Sequence, residues 1–340
     1  MGKSYSLPGC KLNQQKVNVT KTFTANNPID IELISGQNIT LVRGKLNAVY
    51  DTGTSVTPNE DGLAKLVKGL KLQVNKGSSY METISLQQLV LYNQHLVRGR
   101  LTNDQPSGTA SQTGVTGSVE FFFSPSLDPS NPTNPKYAIP GQYPSISSID
   151  VVGTWGTDSD LGTGYTVSGS TSLQIVEQDG WVCDSAVFSQ RFPLSNGVAA
   201  LPNWQYGSHP ITSAVGNLGE QLVLPQGALI RNIFLVIKDS SGNRSNSVVS
   251  EMAIKKSDGT NIWGPFDFTT AQKSKADDLD IQPITGCYLF ELGKDVVGSS
   301  VSKEGGILLK KYADASLQFT TTATGSIEYI FDTLIPRKIS

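Results

Sequence analysis

The sequence predicts an all-β chain of two tandem β-barrels related by internal duplication, with few short helices. Three observations carry that prediction. Short runs of alternating, β-branched and aromatic residues recur between Asn, Gly and Pro punctuation. Charged residues make up only 16% of the chain, against about 25% in an ordinary soluble domain. Ser, Thr, Asn, Gln and 33 Gly take their place, a balance that suits turn-rich β-structure better than long solvated helices. Finally, the octapeptide TGSVEFFF, from Thr116 to Phe123, returns as TGSIEYIF from Thr324 to Phe331. A chain of 340 residues also exceeds one ordinary core and fits two domains of roughly 150–170 residues each.

The first 16 residues read as an N-terminal arm. Lys3, Lys11, Lys16 and Lys21 all precede the first acid, Asp30, and Pro8 and Gly9 interrupt any amphipathic helix there. Strand signals follow in VNVTKTF (17–23), IDIELIS (29–35), NITLVRGKLNAVY (38–50) and LVKGLKLQV (66–74). METISLQQLVLYNQHL reads either as a helix or as a strand followed by a loop. TGSVEFFF then closes a first barrel spanning 17–123. In a strand, Val119, Phe121 and Phe123 share one face, as do Ile327, Tyr329 and Phe331 of the echo, and each set is expected in a core. Glu120 and Glu328 point the other way and read as scaffold.

Residues 124–175 read as a Pro/Gly-rich connection. Six prolines between Ser124 and Pro144 exclude a central strand, and GTWGTDSDLGTGYTVSGSTS (153–172) suggests an exposed loop or hairpin. The second barrel is expected over 176–340. LIRNIFLVI (229–237) can be laid on LVKGLKLQV, and QRFPLSNG (190–197) more weakly on KTFTANNP (21–28). On those anchors the second half is the longer, with an insertion whose TTAQKSKADDL (269–279) is a short helix capped by Thr.

Chemistry is sparse. His95 and His209 fall in different halves, without Cys or carboxylate at ligand spacing. There is no G-x-S-x-G, no Walker or Rossmann fingerprint and no H-E-x-x-H. Asp158 and Asp160 echo a calcium ligand pair but lack the rest of an EF-hand. Cys10, Cys183 and Cys287 are odd in number and irregularly spaced, so neither a zinc site nor a disulfide framework is expected, and a reducing cytosol is. The start lacks a secretory h-region, and no stretch of about 20 apolar residues spans a membrane. A net charge of −2 argues against wrapping nucleic acid, although the basic ends, including Arg337 and Lys338, suit an anionic surface. No catalytic residue, metal or cofactor is expected.

A duplicated all-β chain with a Pro-rich bridge, anchored by TGSVEFFF and TGSIEYIF, resembles the double jelly-roll major capsid proteins of tailless icosahedral, membrane-containing viruses, the lineage of the adenovirus hexon and tailless phages. The resemblance implies two tandem eight-stranded jelly-roll β-barrels and a non-enzymatic role in a virion capsid, for a chain made in host cytoplasm. It implies a homotrimer forming a pseudo-hexameric capsomer, with minor capsid proteins as further partners. It also places the termini inward, so that Lys3, Lys11 and Lys16 are candidates for contact with an internal membrane or genome. The Gly-rich 153–172 loop and the insertion become outward decoration. The alternative is a secreted-type double jelly-roll protein that binds or cleaves glycans, as bacterial peptide-N-glycosidases do, with Trp155, Trp181, Trp204 and Trp263 available to stack on sugars.

Overall fold

Alternation of buried and exposed side chains marks strands such as 28–32 and 67–74 of the computed structural model, which describes residues 9–97, 101–124, 138–144, 146–185, 198–225, 228–292, 307–308 and 315–338. The chain divides into two units, Met1–Pro202 with Arg337–Ser340, and Asn203–Pro336.

The first unit holds β1 (Cys10–Thr22), β2 (Pro28–Glu32), β3 (Asn38–Pro58), β4 (Val67–Val74), β5 (Ser78–Ile84), β6 (Val115–Phe123), the short β7 (Ile139–Pro140), β8 (Ile149–Trp155), β9 (Gly162–Val167) and β10 (Ser172–Cys183). Its principal strands pair as β1-β10-β3-β6 and as β5-β4-β8-β2, with β7 and β9 added to β3. The second unit takes β11 (Val198–Ile211), β12 (Val215–Val223), β13 (Leu229–Asp239), β14 (Val249–Lys255), β15 (Asn261–Asp267), β16 (Cys287–Glu291), the short β17 (Ile307–Leu308), β18 (Ser316–Thr321) and β19 (Gly325–Lys338). These pair as β11-β19-β13-β16 and as β12-β18-β14-β15, with β17 added to β13. Numbering only the eight principal strands of each unit gives one order twice: 1-8-3-6 in one sheet and 2-7-4-5 in the other. The fold is therefore an all-β double jelly roll.

Each core follows from period-two patterning. In the first unit Leu46 and Ala48 of β3, Leu70 and Leu72 of β4, Val151 of β8 and Ile175 of β10 are all buried. In the second, one cluster takes Ile233, Leu235 and Ile237 from β13 and Ile327 and Phe331 from β19. The other sheet adds Met252 and Ile254 from β14 and Leu317 and Phe319 from β18.

The fifth and sixth strands of each unit are joined through a helix. After β5 the chain enters α2 (Leu86–Leu96), which follows the one-turn helices' first member, α1 (Gly62–Lys65). Ser85 and Gln88 form a reciprocal capping box at the start of α2, the signature in SLQQ, and Leu86, Leu89, Val90, Leu91 and Tyr92 are buried. This settles METISLQQLVLYNQHL as a strand to Ile84 and then a helix. The second one-turn helix is α3 (Asp158–Leu161). In the second unit α4 (Phe268–Leu279) is capped by Asp267, whose carboxylate accepts from Thr270 N at 2.7 Å, so the cap is Asp rather than Thr.

Several expectations change. Residues 10–16 are not part of an arm, because β1 starts at Cys10 and pairs with β10 from Cys10↔Cys183 onward. The first barrel does not end at 123. β6 is its sixth principal strand, and β8 and β10 follow within the same unit. The Pro-rich stretch consequently lies inside the first barrel, where Ile139 and Pro140 pair with Ile39 and Asn38; residues 125–137 lie outside the described residues. The 153–172 region is not an exposed loop: Trp155, Leu161, Tyr165 and Val167 are buried, and β9 pairs with β3. The first barrel, Cys10 to Cys183, is longer than the second, Val198 to Lys338, so the longer insertion is not in the second half.

The repeat anchors also fall on non-equivalent strands. TGSVEFFF is a sixth strand and TGSIEYIF an eighth, while LVKGLKLQV is a fourth strand and LIRNIFLVI a third. QRFPLSNG lies outside the described residues. The duplication holds at the level of strand order, not of these segments.

Candidate functional site

The two echo strands solve one packing problem in the same way. On β6, Val119, Phe121 and Phe123 are buried, in register with Leu46, Gly44 and Val42 of β3. The Phe121 ring lies over Gly44, where an added Cβ would sit 2.2 Å from the ring. Phe121 and Phe123 meet edge-to-face at 6.0 Å. On β19, Ile327 and Phe331 are buried and Tyr329 is half-buried, its hydroxyl over Gly207, where a Cβ would again be 2.2 Å away. An aromatic side chain covering a strand glycine is thus common to both octapeptides.

The glutamates on the opposite faces are tied into the scaffold. Glu120 Oε2 accepts from Thr102 N at 3.2 Å, and Glu120 N donates to Thr102 O at 2.8 Å. Glu328 Oε1 accepts from Lys238 Nζ at 2.8 Å. Nearby, Arg231 forms a buried ion pair with Asp332, its Nε 3.0 Å from Oδ1. Tyr206 is pushed up to about 12 by burial and by Glu328 and Tyr329.

His95 is buried at the end of α2 with Nδ1 2.7 Å from Leu91 O. His209 and Glu220 do meet, Nε2 to Oε1 at 2.5 Å, because successive strands β11 and β12 bring them together; ligand spacing along the chain misses such a pair. Asp160 takes Thr157 N at 2.7 Å and pairs with Lys68 at 2.9 Å, while Asp158 accepts from Val167 N, so both carboxylates fix the α3 turn. Among the described residues no group of three or more His, Cys, Asp or Glu is arranged to hold a metal ion. Asp150 is raised by burial and, further, by Asp30 and Glu32 on the adjacent β2. Asp179 is raised to about 6 by burial and by Glu177.

The cysteine reading is corrected here. Cys10 and Cys183 are bonded as a disulfide across β1 and β10, and Cys287 is a buried thiol outside that disulfide. Register alone brings together two residues 173 apart in sequence, which odd counting does not detect. The sugar-stacking reading loses its basis in exposed tryptophans: Trp155, Trp181 and Trp204 are buried and Trp263 is half-buried, against Phe290 at 4.8 Å. Lys11 and Lys16 are exposed on β1, and Lys3 lies outside the described residues. Among the described residues no helix is long and apolar enough to cross a membrane.

Two units with one strand order define a double jelly-roll scaffold. Neither a protein-family model nor a curated protein sequence matches the chain. Solved structures do. The structure of Sulfolobus Turreted Icosahedral Virus aligns with a TM-score of 0.75 at 14% identity, covering 96% of this chain and 91% of that one. The quasi-atomic model of the PBCV-1 virus capsid gives 0.63 at 9% identity, covering 98% and 96%. The major capsid protein P2 from Bacteriophage PM2 gives 0.56 at 12% identity, covering 96% and 98%. The likeness spans both jelly rolls in each case.

Proposed function

We propose that this chain is a major capsid protein of an icosahedral, membrane-containing virus, and that it acts by assembling rather than by catalysis. The observation that carries the reading is the 1-8-3-6 and 2-7-4-5 strand order written twice, matched end to end by capsid structures at near-complete coverage. Physically, three copies of a two-barrel chain bring six barrels around a three-fold axis. The resulting block is pseudo-hexagonal, and such blocks tile a shell with few gaps. Partners are other copies of the chain, then neighbouring capsomers and minor capsid proteins. The exposed Lys11 and Lys16, with Lys3, are assigned to an anionic layer beneath the shell, an internal membrane or packaged genome.

The test is the mass and outline of the purified protein. A trimer with a near-hexagonal projection in negative stain is expected, held by contacts large enough to survive dilution. A chain that stays monomeric at high concentration would sink the reading. For the lysines, charge reversal at Lys11 and Lys16 is expected to weaken pelleting with anionic vesicles while leaving the trimer intact.

A further inference from the structure

We propose that the Cys10–Cys183 disulfide is a redox clasp that decides whether residues 10–16 of β1 stay docked on the first barrel. The inference concerns this chain alone and does not depend on assembly into a shell.

Apart from the backbone ladder to β10, the described residues give this end of the strand few side-chain anchors. Among the described residues β1 is the edge of β1-β10-β3-β6 and pairs with β10 alone. Its register with β10 runs unbroken from Cys10↔Cys183 to Lys16↔Glu177, then shifts before resuming at Val19↔Ile175. Val17, at that irregularity, is the one buried side chain of β1. Residues 10–16 therefore lie beyond the strand's only core anchor. Among the described residues their apolar contacts form a small satellite cluster in which Cys10, Leu12 and Tyr143 pack on Trp181 and Cys183. Gln14 adds one long hydrogen bond, 3.5 Å, to Asp179. A singly paired edge segment with so little burial belongs to the low-stability end of a fold, and a covalent bond at its far end is then decisive. The register shift is the hinge.

The chemistry is thiol–disulfide exchange. Cys10 is half-buried and Cys183 is buried, so an external thiolate attacks the Cys10 sulfur and Cys183 leaves as the thiolate. With a small dithiol reductant, its second thiol resolves the mixed disulfide. The products are two cysteine thiols and one cyclic disulfide. In the reverse direction a small-molecule disulfide accepts the two electrons, giving two small thiols and the Cys10–Cys183 bond. In a reducing compartment the segment is released at the hinge, uncovering Trp181 and Asp179; under oxidising conditions it is locked down.

Hydrogen exchange on the full chain, with and without a dithiol, tests this. Thiol titration after denaturation should give one thiol for the oxidised chain and three for the reduced one. Reduction is expected to speed exchange at residues 11–16 tenfold or more, leave 19–22 and the second unit unchanged, and alter Trp181 emission. Cys10→Ser should show the same pattern without reductant, and in-situ reduction of the wild type covers the case in which that variant folds poorly. The proposal is overturned if three thiols persist after incubation with oxidised glutathione. It is also overturned if exchange at 11–16 is indifferent to reduction, or if the whole first unit loosens, which would mark a general staple instead of a local clasp.

Discussion

The two barrels share a strand order but secure their eighth strands differently. In the first, β10 is bonded covalently to β1 through Cys183 and Cys10, and its ion pair to β3, Arg43–Glu177, is solvent-exposed. In the second, β19 is held to β13 by the buried Arg231–Asp332 pair and by Lys238–Glu328. The difference is that the first barrel adds a covalent bond at a strand end, and the second a buried ion pair. The covalent solution responds to redox conditions and acts at a strand end. The ionic solution does neither, and it is costly to break, because removing one partner strands a buried charge.

The largest effect is expected from that asymmetry. Replacing Asp332 by Ala removes the carboxylate that faces the almost fully buried Arg231 guanidinium, and should cost about 3–5 kcal/mol. Replacing both residues with apolar ones of similar volume should recover most of the loss. Urea unfolding of the single and double variants separates the outcomes, and a double variant no better than the single one would show that the pair itself stabilises the barrel.

A second comparison sets the echo strands against each other. Phe121 is buried over Gly44, whereas Tyr329 is half-buried over Gly207. Phe121→Ala should cost about 3–5 kcal/mol and Tyr329→Ala about half that, since less surface returns to water. Equal costs in denaturant titrations would mean that covering the glycine, not burial, dominates.

The smallest effect is pH-dependent and confined to the first barrel. Asp179 faces Gln14, Glu177 and Arg43, and its folded carboxyl is raised from 3.8 to about 6, chiefly by burial. The folded state then holds this proton more tightly than the unfolded chain does. Stability from this group is greatest below about pH 4, falls as pH rises to about 6, and is flat above, a loss of about 2–3 kcal/mol. Asp179→Asn should flatten that slope. An unchanged difference between wild type and variant from pH 4 to 7 would contradict it.

These contrasts also mark what the sequence could disclose. The strands and their inward faces were legible because alternation is local: Val119, Phe121 and Phe123 needed only a period of two. Duplication was legible too, but from segments that turn out to be non-equivalent. TGSVEFFF and TGSIEYIF resemble each other because each must offer an aromatic to a glycine on a neighbouring strand, a demand independent of the strand's place in the sheet. Strand order, the Cys10–Cys183 register and the His209–Glu220 contact are non-local, and no short window encodes them.

The far edge of the first barrel's principal sheet bears on what that sheet can accept. Thr102, Asn103 and Asp104 lie along β6, through Glu120 N to Thr102 O, the Asn103↔Val119 bridge and Asp104 N to Ser118 O. The middle of that flank is occupied by the chain's own backbone, whereas among the described residues the outer side of β1 carries no strand. Backbone pairing by an incoming strand is thereby obstructed along the middle of β6 and, among the described residues, open along the strand fastened at Cys10.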